Sequence, residues 1–214
     1  MLCDTHIAAG ASTALLLVQP QGVLPAAGVV LAALCGSVIS DIDSDRSWSR
    51  KQADILLGVS ALGFAGAALI AVVTGQAGFM VDTIGAAVGL GKLASCVLAA
   101  ILCIFGMGQG HRSFMHSIMA GAALTACVYA ALARQQACAF LAGFLSHLVL
   151  DLPNHKGLQL FWPAKKRLCL HLCMSNGVVN RVLGEAFLVT AVLLFDACTG
   201  LGLCSYVEGL VGRV

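Results

Sequence analysis

HRSFMHSIMAGAALTACVYAALARQQACAFLAGFLSHLVLDL, residues 111–152, carries two apolar runs of helical length on either side of the polar break Arg134-Gln135-Gln136. Ser117 to Ala133 and Ala137 to Leu152 therefore read as an antiparallel pair of helices. A polar island, His111 to Ser117, precedes the first, and His147 and Asp151 stand near the end of the second. Four residues apart on a helix, His147 and Asp151 project from one face. His111 and His116 are five apart and do not share a regular helix face. Ser113 to Met115 are thus expected to form an irregular lead-in to a helix starting near Ser117. Neutral imidazole and carboxylate are the groups that bind catalytic divalent metals. With the break centred on Gln135 and a rise of about 1.5 Å per residue, His147 comes level with Ala123, roughly 10 Å below His116. A single site then requires the island to fold down or the helices to shift.

The 214-residue chain around this hairpin is 59% hydrophobic and only 10% charged, with a mean hydropathy of +0.94. Soluble domains carry roughly 25% charged residues, so the expected fold is an all-α, polytopic transmembrane helical bundle. Ile7 to Val18 is short for a span of about 20 residues. After Gln19-Pro20-Gln21-Gly22 the run Val23 to Ser40 follows, and the two form either short spans or a re-entrant hairpin. Asp54 to Thr74, Phe79 to Gly106 and Gly177 to Ala197 add to the central pair. The reading is about five long spans plus a short N-terminal helical hairpin, in one membrane-embedded domain over residues 1–214. Small residues such as Gly58, Gly63, Gly66, Gly121 and Gly143 suit close helix packing in lipid.

The net charge of +2 gives no basis for a nucleic-acid partner. Of the ten cysteines, Cys35, Cys96, Cys103, Cys127 and Cys138 lie singly in apolar runs, where they act as small hydrophobes. Cys169-x-His171-x-Cys173 reads as part of a polar loop, since structural zinc normally closes four ligands. The first basic residue is Arg46, so a cleaved signal peptide is not expected. Lys92 reads either as snorkelling or as a functional cation.

Loops 41–53, 107–116 and 153–176 fall on one side by this count of spans. They hold Arg46, Arg50, Lys51, Arg112, Lys156, Lys165, Lys166 and Arg167, against Arg134 alone in the opposite loops before any C-terminal tail. The positive-inside rule assigns the basic side to the cytoplasm. The same parity brings His6, Asp41, Asp43, His111, His116 and Asp151 to that face, with His147 one turn deeper. These seven are the candidate metal ligands. Ionisable groups at membrane depth are costly without partners, which gives His147 and Asp151 most weight. Asp41 and Asp43, if extended, place both carboxylates on one side.

Thr5-His6, Ser40-Asp41-Ile42-Asp43, His111-Arg112-x-x-x-His116-Ser117, Gly143-Phe144-Leu145-Ser146-His147-x-x-x-Asp151 and Gly157 with Leu160-Phe161-Trp162-Pro163 occur in order. This set resembles the bacterial family of inner-membrane-associated metal-dependent hydrolases, sometimes labelled LexA-binding, over roughly residues 5 to 163. The resemblance implies a membrane helical bundle with hydrolase activity. It also implies a distant similarity to zinc-dependent phospholipases C and P1-type nucleases, and hence phosphoester substrates. Ser40 stands where the family often has Pro, and Ser113 and Met115 replace a common Gly and Thr. Those positions shape loops rather than ligate.

Three carboxylates and four neutral imidazoles suit two divalent cations with a bridging hydroxide, a nearly neutral cluster. The expected cofactor is therefore two divalent ions, Zn2+ or Mn2+, activating a hydroxide. Arg112 would stabilise charge on substrate oxygens, and Asp43 joins it as a catalytic candidate. There is no G-x-S-x-G, so Ser117 and Ser146 are expected to tune helix ends or ligand orientation. The expected substrate is a lipid or lipid-linked phosphoester in the bacterial inner membrane. The alternatives are a metal or proton transporter, or a membrane scaffold with a structural metal.

Overall fold

A computed structural model describes residues 3–44, 50, 51, 73, 89–171 and 177–202. Among them the chain forms six α-helices: α1 (Cys3–Val18), α2 (Val23–Ile39), α3 (Leu90–Met107), α4 (Ile118–Ala131), α5 (Arg134–Asp151) and α6 (Val178–Thr199). Two 3₁₀ turns, Ser40–Asp43 and Phe114–His116, lie at the polar islands. The described residues contain no strand, only an isolated bridge between Leu158 and Leu168. The all-helical expectation holds.

Local chemistry sets the helix ends. The polar Gln19-Pro20-Gln21-Gly22 break separates α1 from α2, with Gly22 at φ 91°. Ser117 caps α4: its hydroxyl donates to the Phe114 carbonyl at 2.6 Å and accepts from the Ala120 N–H at 3.1 Å. Gly200, at φ 65°, closes α6 in the left-handed conformation, its N–H donating to the Asp196 carbonyl at 2.8 Å.

The described helices can be set against the expected spans one by one. Helix α2 with its 3₁₀ extension, Val23–Asp43, is 21 residues long with a mean hydropathy of 2.1, enough to cross a membrane. The second arm of the N-terminal hairpin is thus a full-length candidate span, beside Leu90–Met107 and Val178–Thr199. Helix α4 has only 14 residues, and α5 carries Arg134, His147 and Asp151. Neither is both long and apolar enough to count by itself, so three such helices stand among the described residues, and the expected count of about five is not confirmed. The expected span Asp54–Thr74 apart from Val73, the first part (79–88) of the expected span Phe79–Gly106 and most of the tail lie outside the described residues, as do Asp45, Arg46 and Cys173.

Burial explains the difference. Helix α5 packs against α1, α2 and α4, and nine of its residues are buried. A helix sheltered by protein can carry polar groups that a lipid-facing one cannot. By contrast α3 exposes Val97, Leu98, Ile101 and Ile104, and α6 exposes Val182, Val189 and Leu193, surfaces suited to acyl chains.

Helices α2 and α5 approach closely because each presents a glycine to the other's backbone. A Cβ on Gly36 would clash with the Phe140 carbonyl, and one on Gly143 would clash with the Ala33 carbonyl. This small-residue contact lets the end of α2 reach the histidine of α5.

Candidate metal centre

The end of the bundle where α1 begins and α2 and α5 finish is also where the 107–116 island folds over. His6 lies in the first turns of α1, inside the helix that the sequence was expected to begin only at Ile7. It is buried, and its ring stacks on His147 with centroids 4.0 Å apart. Asp41 and Asp43 sit in the 3₁₀ turn that ends α2. His147 and Asp151 come from the last turns of α5, on one face as their spacing required.

His116 joins them because the helix break is not where the polar residues suggested. Leu132 and Ala133 are extended, and Arg134 already begins α5. The point opposite His147 therefore moves from Ala123 to about Ile118, next to His116. The expected irregular lead-in is the Phe114–His116 turn, and it supplies the rest of the approach. His116 Nε2 and His147 Nε2 are 3.4 Å apart, and both side chains are fully buried.

The protons on these rings are assigned by their other nitrogens. His147 Nδ1 donates to the Ser37 carbonyl at 2.6 Å, so its Nε2 presents a lone pair. His116 Nδ1 donates to Asp43 Oδ2 at 3.2 Å, so its Nε2 presents a lone pair as well. Around these two nitrogens stand further acceptors: Asp41 Oδ1 at 3.7 and 3.8 Å, and Asp151 Oδ2 at 3.9 Å from each. His6 Nε2 is 3.3 Å from Asp151 Oδ1, and its Nδ1 is buried without a partner. Converging acceptors fit a cation. The 3.4 Å separation is also that of two donors each about 2.1 Å from one tetrahedrally coordinated ion. Two overlapping groups, His6 with His147 and Asp151, and Asp41 with His116 and His147, have the compactness of a metal site.

Five of the seven expected ligands thus come together: His6, Asp41, His116, His147 and Asp151. The other two stand behind them. Asp43 accepts from His116, from the Arg112 backbone N–H at 3.0 Å and from His111 Nδ1 at 2.7 Å. Its carboxylate orients the ligand histidine rather than facing the lone-pair cluster. The His111 side chain is 41% exposed at the outer edge.

Arg112 occupies a tight position. Its φ is 62°, in the left-handed region, and it is held there by Asp43 on its N–H and by the Gln159 N–H donating to its carbonyl at 3.1 Å. The guanidinium pairs with Asp151 Oδ2 at 3.2 Å and donates to the Lys156 carbonyl. Its Nε is buried with no partner. Loop 157–163 clamps this island. Gln159 accepts from the Ser113 hydroxyl at 2.9 Å, and the Leu160 carbonyl receives the Ile118 N–H at 3.0 Å. Trp162 packs edge-on to Phe105 and Phe114.

Sequence reasoning missed Asn154, a buried residue whose amide donates to Asp151 Oδ1 at 2.9 Å. Its position three residues after Asp151 was the available signal. It also missed Ser37, which acts through its carbonyl and has no side-chain signature. Lys92 is exposed near the start of α3 and belongs to no part of the centre. Ser146 donates to the Gly143 carbonyl within its own helix and touches no ligand. Cys169 Sγ lies 3.4 Å from the His171 ring nitrogens in the exposed loop.

A family model described as YdjM inner membrane protein matches residues 1–207, and the chain belongs to that family. No curated protein and no solved structure matches the chain. The match supports the bacterial inner-membrane part of the resemblance and does not bear on its hydrolase or nuclease part.

Proposed function

We propose that this member of the YdjM inner membrane protein family is a metal-dependent hydrolase acting on an amphiphilic phosphoester at the cytoplasmic face. The observation that carries the metal is the pair of buried Nε2 lone pairs facing each other at 3.4 Å with carboxylates on either side. Imidazole and carboxylate donors suit Zn2+, with Mn2+ as the alternative.

The geometry favours one ion over the two expected from the charges of the seven candidate ligands. His147 has only Nε2 free, so the two overlapping donor groups describe a single centre. Charge agrees: Asp41, Asp43 and Asp151 are offset by one divalent ion together with Arg112, which lies within the cluster. When bound, such an ion acts as a Lewis acid on a phosphoryl oxygen and acidifies a water molecule.

The chain's own residues do the remaining work. Asp43 and the Ser37 carbonyl fix the two imidazoles in the tautomer that presents Nε2. Asn154 steadies Asp151. Arg112 offers an unpartnered, buried N–H beside the carboxylates, the type of donor that binds a phosphate oxygen. That donor favours an anionic substrate over metal transport, as does the position of the centre at one end of the helices instead of midway along them.

Elemental analysis of purified, metal-reconstituted protein should give about one ion per chain, lost in His116→Ala and His147→Ala. Phosphate release should then follow metal content and favour a long-chain alkyl phosphate over a short-chain, water-soluble analogue. Wild-type protein without metal would remove the reading. Equal turnover of the two substrates, or efficient cleavage of a polynucleotide, would remove its lipid component.

A further inference from the structure

On the side of α1 away from His147, a cavity of about 700 Å³ lies between α1, α2 and α6. Its walls are apolar along most of their length, with Leu15, Val30, Leu34 and Phe195 among them. Polar groups appear at one end only: Asp4 and Thr5 at the start of α1, and Asn180, Arg181 and Glu185 at the start of α6.

Helices α1 and α6 run parallel. Thr5 donates to the Asn180 carbonyl at one end, and at the other the Gly22 N–H after α1 donates to the Cys198 carbonyl. Both helix N-termini, with their partial positive charge, therefore lie at the polar mouth beside Arg181. The mouth shares its first helical turn with the metal centre, since Thr5 faces the cavity and the adjacent His6 faces His147. From Asp4 to Leu15 the groove runs roughly 16 Å along α1. One leaflet of a bilayer's hydrocarbon core is about 15 Å deep. The volume lies within the range of roughly 300–1,000 Å³ typical of small-molecule sites.

We infer that this groove holds the single hydrocarbon chain of the phosphorylated amphiphile whose head group reaches the metal centre over the first turn of α1. The inference rests on the hydrolase reading for the identity of the head, but the groove has its own geometry. A polar mouth above an apolar trough of one leaflet's depth matches a lipid chain, whereas a water-soluble ligand would leave the trough unfilled.

The probe is hexadecyl phosphate carrying a mid-chain diazirine, added to the full chain in phosphatidylcholine nanodiscs. Photolabelling should concentrate on α1, α2 and α6 peptides that line the groove. Val192→Trp fills the groove from a half-exposed position and should lower that labelling about tenfold by displacing buried methylenes. Val189→Trp adds the same bulk to the exposed face of α6 outside the groove and should leave labelling unchanged. Equal groove labelling in wild type and Val192→Trp, or labelling centred on the face around Val189, overturns the inference. Bound metal, measured in the same samples, separates the two readings. Groove-specific labelling of protein that binds no metal leaves the groove standing and removes the hydrolase; metal-loaded protein with diffuse labelling does the reverse.

Discussion

Asp43 and Asp41 are two residues apart, yet they face different partners. Both were expected to ligate, on the assumption that an extended segment puts alternate residues on one side. The segment is instead a 3₁₀ turn. At three residues per turn, positions two apart diverge by about 120°. Asp41 meets the lone-pair cluster, while Asp43 turns to His111, His116 and the Arg112 N–H. Asp43→Asn should therefore weaken metal binding about 10–100-fold, the usual effect of losing an orienting carboxylate, while leaving one ion per chain at saturation. Titration against a chelator of known affinity distinguishes this from ligand loss, which would lower the stoichiometry itself. His147 and Asp151 were legible because a regular helix fixes their relation. The Ser37 carbonyl was not, since any residue could supply it.

Helix boundaries were legible where they depend on side-chain chemistry. Ser117 is an N-cap, and Ser117→Ala should cost about 1 kcal/mol in detergent unfolding. The α4–α5 turn was misplaced because Leu132 and Ala133 carry no turn signal, whereas Arg134, Gln135 and Gln136 are good helix formers that open α5 instead. That shift changes which residue lies opposite His147. Helix α1 extends to Cys3 because the polar Thr5-His6 pair is buried among other helices, which hydropathy alone does not reveal. The small residue Gly143 was recognised as a packing position. Its partner, the Ala33 backbone, became visible only in three dimensions. Gly143→Val should destabilise the protein by about 2–4 kcal/mol by forcing α2 and α5 apart. Metal should be lost with it, because Ser37 and His147 move out of register. Thermal unfolding in detergent checks the first effect, and metal content of the surviving folded fraction checks the second.

At the scale of the whole molecule, the polar ends of α1, α2 and α5 and the two islands gather at one end of the bundle, as the loop charges led one to expect. The assignment of that end to the cytoplasm is open to a direct measurement. A single cysteine introduced between residues 157 and 167, on a cysteine-free background, should react with a permeant reagent and resist an impermeant one in intact cells. External labelling would reverse the orientation. The central place of α1 has a further consequence, for biogenesis. This helix leaves the ribosome before the other described helices, carrying Thr5, His6 and Ser12, all buried in the folded protein. The helices that cover those groups, α5 and α6, emerge more than a hundred residues later. Until then Thr5 and His6 lack the partners that α5 and α6 supply in the folded protein. An ion held by His6, His147 and Asp151 would therefore be captured only once α5 is in place, and a nascent chain halted before Asp151 would lack one of the three donors.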